Sequence, residues 1–153
     1  MSEILPLIAG IFLMGYIIYL FIPARYPKSI HHGVVQFLNV NRQYITKPWG
    51  GEDLWAKTDK YVGKVLEIKA GHQLSKQYHQ FKDESLMVIS GQMELFMRDD
   101  LVQITVVMNP GDRIHIPPGV IHRMKAVTDC RVVEVSTTEL DDVVRLEDDY
   151  GRK

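Results

Sequence analysis

The chain has 153 residues, of which 46% are hydrophobic, and this composition allows a domain with a substantial core. Its 18 Lys and Arg nearly balance 19 Asp and Glu, and no basic run points to nucleic acid. Cys130 is the single cysteine, so it can form no internal disulfide. It therefore fits a reducing compartment and predicts a buried strand position.

The N-terminal stretch predicts a hydrophobic helix. Residues 4–22 are almost wholly apolar, and at about 1.5 Å per residue such a helix would nearly cross a hydrocarbon core about 30 Å thick. Arg25 and Lys28 follow it and no Lys or Arg precedes it, so the positive-inside rule leaves the rest of the chain on the cytoplasmic side. We interpret residues 1–28 as a membrane anchor with its linker and residues 29–153 as a second domain. A packing helix and a cleaved secretory signal are the alternatives.

From Lys64 onward, apolar residues alternate with polar ones in short segments separated by Gly, Pro, Asn and Asp. This pattern is typical of an all-β sandwich or barrel. Residues 141–149 predict a terminal strand or helix, and residues 34–44 a short helix or an arm. The predicted strands are Lys64–Lys69, Ser85–Ser90, Met93–Arg98, Val102–Met108, Arg113–Ile116, His122–Ala126 and Arg131–Ser136.

The stretch from Gly71 to Gly91 carries three polar residues that could act together. Gln77 and His79 are two positions apart, so on a strand their side chains leave the same face. Glu84 follows a polar turn and begins the next apolar strand. We therefore expect its carboxylate to face back toward His79.

A second stretch supplies a fourth residue. A Pro-Pro-Gly turn separates the strand that ends at Ile116 from the next strand, which carries His122 toward the same interior. Gln77, His79, Glu84 and His122 therefore predict a metal site. Two imidazoles, a carboxylate and an amide oxygen suit one divalent ion such as zinc, manganese, cobalt, nickel or iron, with magnesium kept among the candidates. The lack of thiolate ligands argues against a structural zinc.

These two stretches resemble the signature motifs of the cupin superfamily. The first motif is Gly, five residues, His-x-His, four residues, Glu, six residues and Gly; the second is Gly, five residues, Pro-x-Gly, two residues and His. Every spacing matches, with Gln77 in place of the first histidine. Together with Lys47 to Gly50 and Asp141 to Arg152, they make the chain resemble the cupin domain of type II mannose-6-phosphate isomerase. In that family the domain is the C-terminal part of a bifunctional enzyme that is also a mannose-1-phosphate guanylyltransferase.

The resemblance implies a single cupin barrel, a double-stranded β-helix or jelly roll, behind the N-terminal helix. It also implies interconversion of mannose 6-phosphate and fructose 6-phosphate, an aldose–ketose isomerisation through an enediol. Lys82, Arg123 and Arg145 occupy basic positions of the family pattern, and Lys76 lies nearby. We assign Lys82 a catalytic role and Lys76, Arg123 and Arg145 to binding the sugar phosphate, because a phosphate needs cations. Solvated surface charge is the alternative for each.

The chain also departs from the family pattern. The usual Gln-Met-His-His-His-Arg reads Gln-Tyr-His-Gln-Phe-Lys here, and Val65 and Ala126 replace a basic residue and an asparagine. Lys82 replaces the family arginine, and a flexible ammonium group does not reproduce the two-pronged hydrogen bonding of a guanidinium group. Isomerase activity therefore does not follow from the motif alone, and three functions stay open. They are an isomerase, a metal-holding cupin that binds a sugar or sugar phosphate or regulates a partner without turnover, and another metal-dependent cupin enzyme. Cupins often pair through their sheets, so the resemblance also implies a homodimer.

Overall fold

In the computed structural model, which describes residues 43–152, the chain forms β-strands and, within that range, no helix. The strands are β1 Gln43–Lys47, β2 Gly50–Lys57, β3 Val62–Ile68, β4 Lys76–Tyr78, β5 Glu84–Ser90, β6 Met93–Arg98, β7 Gln103–Met108, β8 Arg113–Ile116, β9 Ile121–Ala126, β10 Cys130–Ser136 and β11 Val144–Glu147.

These strands form two antiparallel sheets. The six-stranded sheet has the order β1-β2-β3-β10-β5-β8, and the five-stranded sheet has the order β11-β4-β9-β6-β7. The late strand β10 lies between the early strands β3 and β5, so distant parts of the sequence become neighbours. Apolar side chains from both sheets form one buried core, which includes Leu66, Leu86, Leu95, Met124 and Val132.

Alternation along the central strands decides which side chains enter this core. On β5, Leu86 and Val88 are buried while Met87 is exposed. The same strand begins with the buried Glu84, and β10 places the buried Glu134 directly opposite Leu86. Because the two strands run antiparallel, the polar start of one lies beside the polar end of the other. The interior is therefore apolar over most of its length and charged at one end.

Most of the strand prediction is confirmed. The seven predicted strands are all present, with ends that differ by no more than two residues. The terminal segment also contains a strand, β11. The strands β1 and β2 were missed, because β1 is largely exposed and β2 opens with two glycines and two acidic residues, so neither shows clear apolar alternation.

The predicted N-terminal helix at residues 4–22 and the domain boundary after residue 28 lie outside the described residues. Within residues 43–152 there is no helix with the length and apolar character that a membrane span requires.

Candidate metal centre

Three of the predicted ligands meet in the interior. His79 follows β4, Glu84 begins β5 and His122 lies on β9, and all three are buried. Their ligand atoms lie within 4.8 Å of one another. The distance to Glu84 Oε1 is 3.2 Å from His122 Nε2 and 3.8 Å from His79 Nε2. Both sheets thus contribute to one cluster of nitrogen and oxygen atoms.

Backbone carbonyls orient both imidazoles. His79 Nδ1 contacts the carbonyl oxygen of Asp142, and His122 Nδ1 lies 3.0 Å from that of Val120. A carbonyl oxygen only accepts, so each Nδ1 donates a proton and the neutral ring keeps its lone pair on Nε2. Burial lowers the pKa of His79 by more than the contact with Asp142 raises it, which favours this neutral ring. The lone pairs of both rings are therefore available to a metal ion.

The cluster leaves two buried polar atoms without a hydrogen bond. Within the described part of the chain, neither Glu84 Oε1 nor His122 Nε2 has a hydrogen-bond partner. A buried carboxylate oxygen facing imidazole lone pairs is costly unless a cation lies between them. The donor set and its hydrogen-bonded rings therefore fit a divalent metal ion.

Gln77 lies beside the other three residues. It is paired in register with His122, and its Nε2 is 3.5 Å from His79 Nε2. The Ser75 hydroxyl donates a 2.6 Å hydrogen bond to Gln77 Oε1. A half-turn of the amide would point Oε1 toward the imidazoles, and the hydroxyl would then accept from the amide nitrogen. Gln77 is thus placed where a fourth ligand could reach the ion.

Lys82 is buried between two carboxylates. Its Nζ donates to Glu84 Oε2 at 2.5 Å and to Glu134 Oε1 at 2.7 Å. Burial lowers the pKa of Lys82, but Glu134 and Glu84 outweigh it and the pKa is raised. Burial likewise raises the pKa of Glu84, yet a hydrogen bond from the imidazolium form of His122 and the charge of Lys82 bring it down to about 2. Lys82 thus holds one oxygen of Glu84 and leaves the other facing the histidines.

A row of alternating charges continues from Lys82 across the six-stranded sheet. Glu134 on β10 lies 3.8 Å from Lys64 on β3, Lys64 lies 3.5 Å from Glu52 on β2, and Glu52 lies 3.5 Å from Lys47 on β1. These strands are neighbours in the sheet. We call these five residues the charged row. It leads from the candidate metal ligand Glu84 toward the edge of the sheet.

The charged row forms one wall of a cavity of about 120 Å³. Gln77, His79 and Glu84 also line this cavity, together with Trp49, Arg145 and Arg152. Counting the lining side chains, five Lys and Arg face three Glu. The cavity is therefore positively charged before any metal ion is added, and it favours an anionic ligand.

The predicted substrate-binding residues are separated. Arg145 lines the cavity, whereas Lys76 and Arg123 are not among its lining residues. Both instead pair with Glu147, at 2.9 Å and 3.3 Å respectively. Because His122 points into the interior, Arg123 as the next residue of β9 points to the other face. The structure brings Arg145 to the candidate site and leaves Lys76 and Arg123 outside it.

Most departures from the family pattern also fall outside the cavity. Gln80 and Phe81 are exposed, Phe81 at 71%. Val65 lies between the inward-facing Lys64 and Leu66 on β3, so it points outward. None of the three lines the cavity. Among the departures in the first motif, Lys82 alone contacts the candidate metal ligands.

Sequence reasoning missed Asp142. Its carboxylate accepts hydrogen bonds from the backbone N–H groups of Gln80, Phe81 and Lys82, at 3.0, 2.6 and 2.8 Å. Desolvation raises the pKa of Asp142, but these three donors lower it overall. With its carbonyl oxygen on His79, this one residue fixes both the ring and the loop that precedes Glu84. The terminal motif was recognised, but nothing in it indicated these contacts.

Glu134 was missed as well, although its signal was present. The predicted strand Arg131–Ser136 places Val132, Glu134 and Ser136 on one face. The apolar Val132 marks that face as inward, so a buried glutamate could have been inferred. The contact of Glu134 with Lys82 spans 52 residues of sequence, so this contact could not be inferred from the local pattern.

The remaining residues of interest have simpler roles. Cys130 is buried at the start of β10, as predicted, and burial raises the pKa of its thiol. Trp49 packs in the core, while Trp55 is 48% exposed. His72 and His115 are exposed and do not belong to the cluster of His79, Glu84 and His122.

Two antiparallel sheets that enclose a buried cluster of two histidines and a glutamate define a cupin with a candidate metal centre. Residues 36–148 match the family described as mannose-6-phosphate isomerase C-terminal, and the chain belongs to this family.

Relatives among curated proteins agree with this assignment. The chain is 32% identical over 113 residues to the xanthan biosynthesis protein XanB of Xanthomonas campestris pv. campestris (strain B100), and 31% identical over 113 residues to a mannose-1-phosphate guanylyltransferase of Escherichia coli (strain K12). Each match covers 71% of this chain and 23% of the relative. The chain thus spans about a quarter of the length of these relatives. The capsular polysaccharide assembling protein CapF of Staphylococcus aureus shares the fold, with a TM-score of 0.59 and 22% identity over 71% of this chain and 35% of that chain.

Proposed function

We propose that this chain is a metal-dependent sugar-phosphate isomerase that interconverts mannose 6-phosphate and fructose 6-phosphate. The observation that carries the proposal is a buried cluster of unpaired nitrogen and oxygen atoms at the wall of a cationic cavity. Family membership supports the same substrate class, since relatives are named for mannose 1-phosphate and for polysaccharides built from sugars.

The metal would be held by His79, Glu84 and His122, with Gln77 as the fourth ligand. Zinc, manganese, cobalt, nickel and magnesium are the candidate ions. When bound, the ion would supply a Lewis acid that polarises the carbonyl of the open-chain sugar. The side chains around it keep the site ordered: the carbonyls of Asp142 and Val120 hold the imidazoles, and Lys82 holds Glu84.

The phosphate group would be bound by cations of the cavity wall. Arg145 is the predicted substrate-binding residue that lines the cavity. Lys64 is a further candidate, because its Nζ lies 3.5 Å from Glu52 and 3.8 Å from Glu134. These distances exceed an ordinary hydrogen bond, so its protons can be donated to a ligand. This assignment places no substrate contact on Lys76 or Arg123.

A metal-holding cupin that binds a sugar phosphate without turnover is the second candidate. The position of Lys82 favours it, since its ammonium group already donates short hydrogen bonds to two carboxylates, Glu84 and Glu134. The exposed positions of Gln80 and Phe81 favour the isomerase, because replacement of the two family histidines does not change the cavity lining.

The test is an isomerase assay on the purified full chain with mannose 6-phosphate, each candidate ion and a chelator control. We expect metal-dependent formation of fructose 6-phosphate, lost in His79→Ala and retained in His115→Ala. His115 is the matched control because it is exposed and lies outside the cavity. Stoichiometric metal and bound mannose 6-phosphate without turnover would instead establish the binding protein.

We further propose that residues 4–22 anchor the chain with the cupin domain on the cytoplasmic side, and that the chain is a homodimer. Membrane fractionation of the full chain against a variant lacking residues 1–28 tests the anchor. Analytical ultracentrifugation of that variant tests the dimer, and a single monomeric species would contradict it.

A further inference from the structure

The proposed isomerisation needs a base beside the metal ligands. A proton must move between two neighbouring carbons, and a side chain with a free lone pair must carry it. Among the charged side chains that line the cavity, lysine ammonium and arginine guanidinium groups only donate hydrogen bonds. Glu84 is a candidate metal ligand, which leaves the carboxylates of Glu52 and Glu134.

Position distinguishes these two carboxylates. Glu134 Oε1 and Glu84 Oε2 both lie within 2.7 Å of Lys82 Nζ, so one ammonium group separates Glu134 from the candidate metal ligand. Glu52 lies farther along the charged row, next to Lys64 and Lys47. A base must lie within about 3 Å of the proton that it removes, and the reacting carbons would lie next to the carbonyl that an ion held by His79, Glu84 and His122 would polarise. Glu134 is therefore the better placed carboxylate.

The surroundings of Glu134 also hold it in one orientation. It is 4% exposed and faces inward from β10, the strand between β3 and β5. Its contacts with Lys82 and Lys64 are both made by Oε1. Lys82 thus holds Oε1 at 2.7 Å, with the charge of Lys64 farther away at 3.8 Å from the same oxygen, and Oε2 is the oxygen that we assign to the reaction.

On the basis of the proposed function, we propose that Glu134 is the catalytic base that carries the proton between C2 and C1 of the sugar phosphate. Oε2 takes the C2 proton of the open-chain aldose, so the C2–H bond breaks and an O–H bond forms. The electron pair of the broken C2–H bond forms the C1–C2 double bond, and the π electron pair of the carbonyl group moves to O1. Protonated Glu134 then returns the proton to C1. The O2 hydroxyl proton passes to O1 and the ketone forms at C2, with no further reactant.

The experiment compares Glu134→Gln with wild type in the metal-loaded full chain. We expect kcat to fall by at least about 100-fold, the scale of general base catalysis, with KM changed by no more than a few fold. In D2O, deuterium incorporation at the reacting carbon should fall in parallel. Metal content, measured on the same samples, should stay at the wild-type level. Glu67→Gln is the matched control, because Glu67 is a carboxylate on the outward face of β3.

Several outcomes separate this inference from the proposed function. An inactive wild-type protein would overturn the proposed function itself. Turnover that survives in Glu134→Gln but is lost in Glu52→Gln would overturn the assignment of the base. If Glu134→Gln loses both its bound metal and its activity, the role of Glu134 is to hold Lys82. That result would also overturn the assignment of Glu134 as the base. If Glu134→Gln does not fold, the variant Glu134→Asp replaces it in the test. Its carboxylate is displaced by one methylene, which should lower kcat by at least about 10-fold. An unchanged kcat in Glu134→Asp would contradict the proposal.

Discussion

At the scale of single residues, the buried ion pairs of Lys82 determine how the candidate site behaves. One ammonium group compensates two carboxylates that are each about 95% or more buried. Removing one partner of a buried ion pair lowers the free energy of unfolding by more than the intact pair contributes to it, because the other charge remains unpaired in a medium of low dielectric constant. The site therefore depends on Lys82 even if this lysine never contacts a substrate.

Lys82→Met should lower the free energy of unfolding of the metal-free protein by about 3–5 kcal/mol. The control is Lys76→Met, which removes a lysine paired with the half-exposed Glu147 and should cost about 0–1 kcal/mol. Urea unfolding in the presence of a chelator measures both. Equal losses in the two variants would show that Glu84 and Glu134 do not need the buried ammonium.

The metal-free protein should lose stability as the pH falls. Glu84 has a pKa of about 2 in the folded chain against 4.5 for the ordinary group, so the unfolded chain binds more protons between these values. Its contribution, about 3 kcal/mol, is present above pH 4.5 and is lost as the pH falls toward 2. His79, whose pKa is lowered from 6.5, acts in the same direction below pH 6.5. Lys82 acts oppositely, since its raised pKa makes its contribution disappear only above pH 10.5.

Urea unfolding at a series of pH values, with chelator present, tests this dependence. The variant Glu84→Gln should show a shallower loss of stability below pH 4.5 than the wild type. If the free energy of unfolding changes with pH equally in both proteins, Glu84 is not the group whose protonation lowers the stability.

At the scale of elements, the segment between β10 and β11 orders the loop that connects the candidate ligands His79 and Glu84. Asp142 lies in this segment and contacts the loop through both its carboxylate and its carbonyl oxygen. Leu140 and Val143 of the same segment line the cavity. One short connection thus shapes the ligand cavity and orients a metal ligand.

Asp142→Asn should weaken metal binding by about 10–100-fold, as is typical when a group that orients a metal ligand is altered. The amide keeps one acceptor oxygen but presents donors to backbone N–H groups where the carboxylate accepted. Competition with a chromogenic chelator measures the affinity. The neighbouring exposed Asp141→Asn is the control, and equal affinities in the two variants would contradict the role given to Asp142.

The cluster of His79, Glu84 and His122 could be located from the sequence because spacing along the strands sets which side chains face inward. Gln77 and His79 lie two positions apart, which gives them a common face, and Gly119 allows the turn before His122. Gly119 has a φ of 85°, which favours glycine, and its N–H donates to the carbonyl oxygen of His79 at 2.7 Å. The turn that defines the second motif thus contacts the first motif directly.

The surroundings of the ligands were harder to predict because they depend on pairing between distant strands. Asp142 contacts a loop about 60 residues earlier in the chain, and no local pattern encodes that contact. The placement of Arg123 was different. Alternation from the inward-facing His122 already indicates an outward side chain for Arg123.

At the scale of the whole described domain, metal binding should raise stability. An ion that binds the folded chain alone adds about 4 kcal/mol at a free concentration 1,000 times its Kd. The melting temperature should therefore rise with zinc or manganese and fall with chelator, and His79→Ala should show neither change. A melting temperature that does not respond to any candidate ion would contradict the metal site.

The strand assignment of the ligands has one more consequence. Gln77 and His122 belong to the five-stranded sheet, whereas Glu84 begins a strand of the six-stranded sheet. A bound ion would therefore be a non-covalent crosslink between the two halves of the barrel, which could not separate at that end without releasing it. Backbone amides of β4, β5 and β9 should then exchange with solvent more slowly in the metal-loaded protein, while those of the distant edge strand β7 should exchange at their metal-free rate.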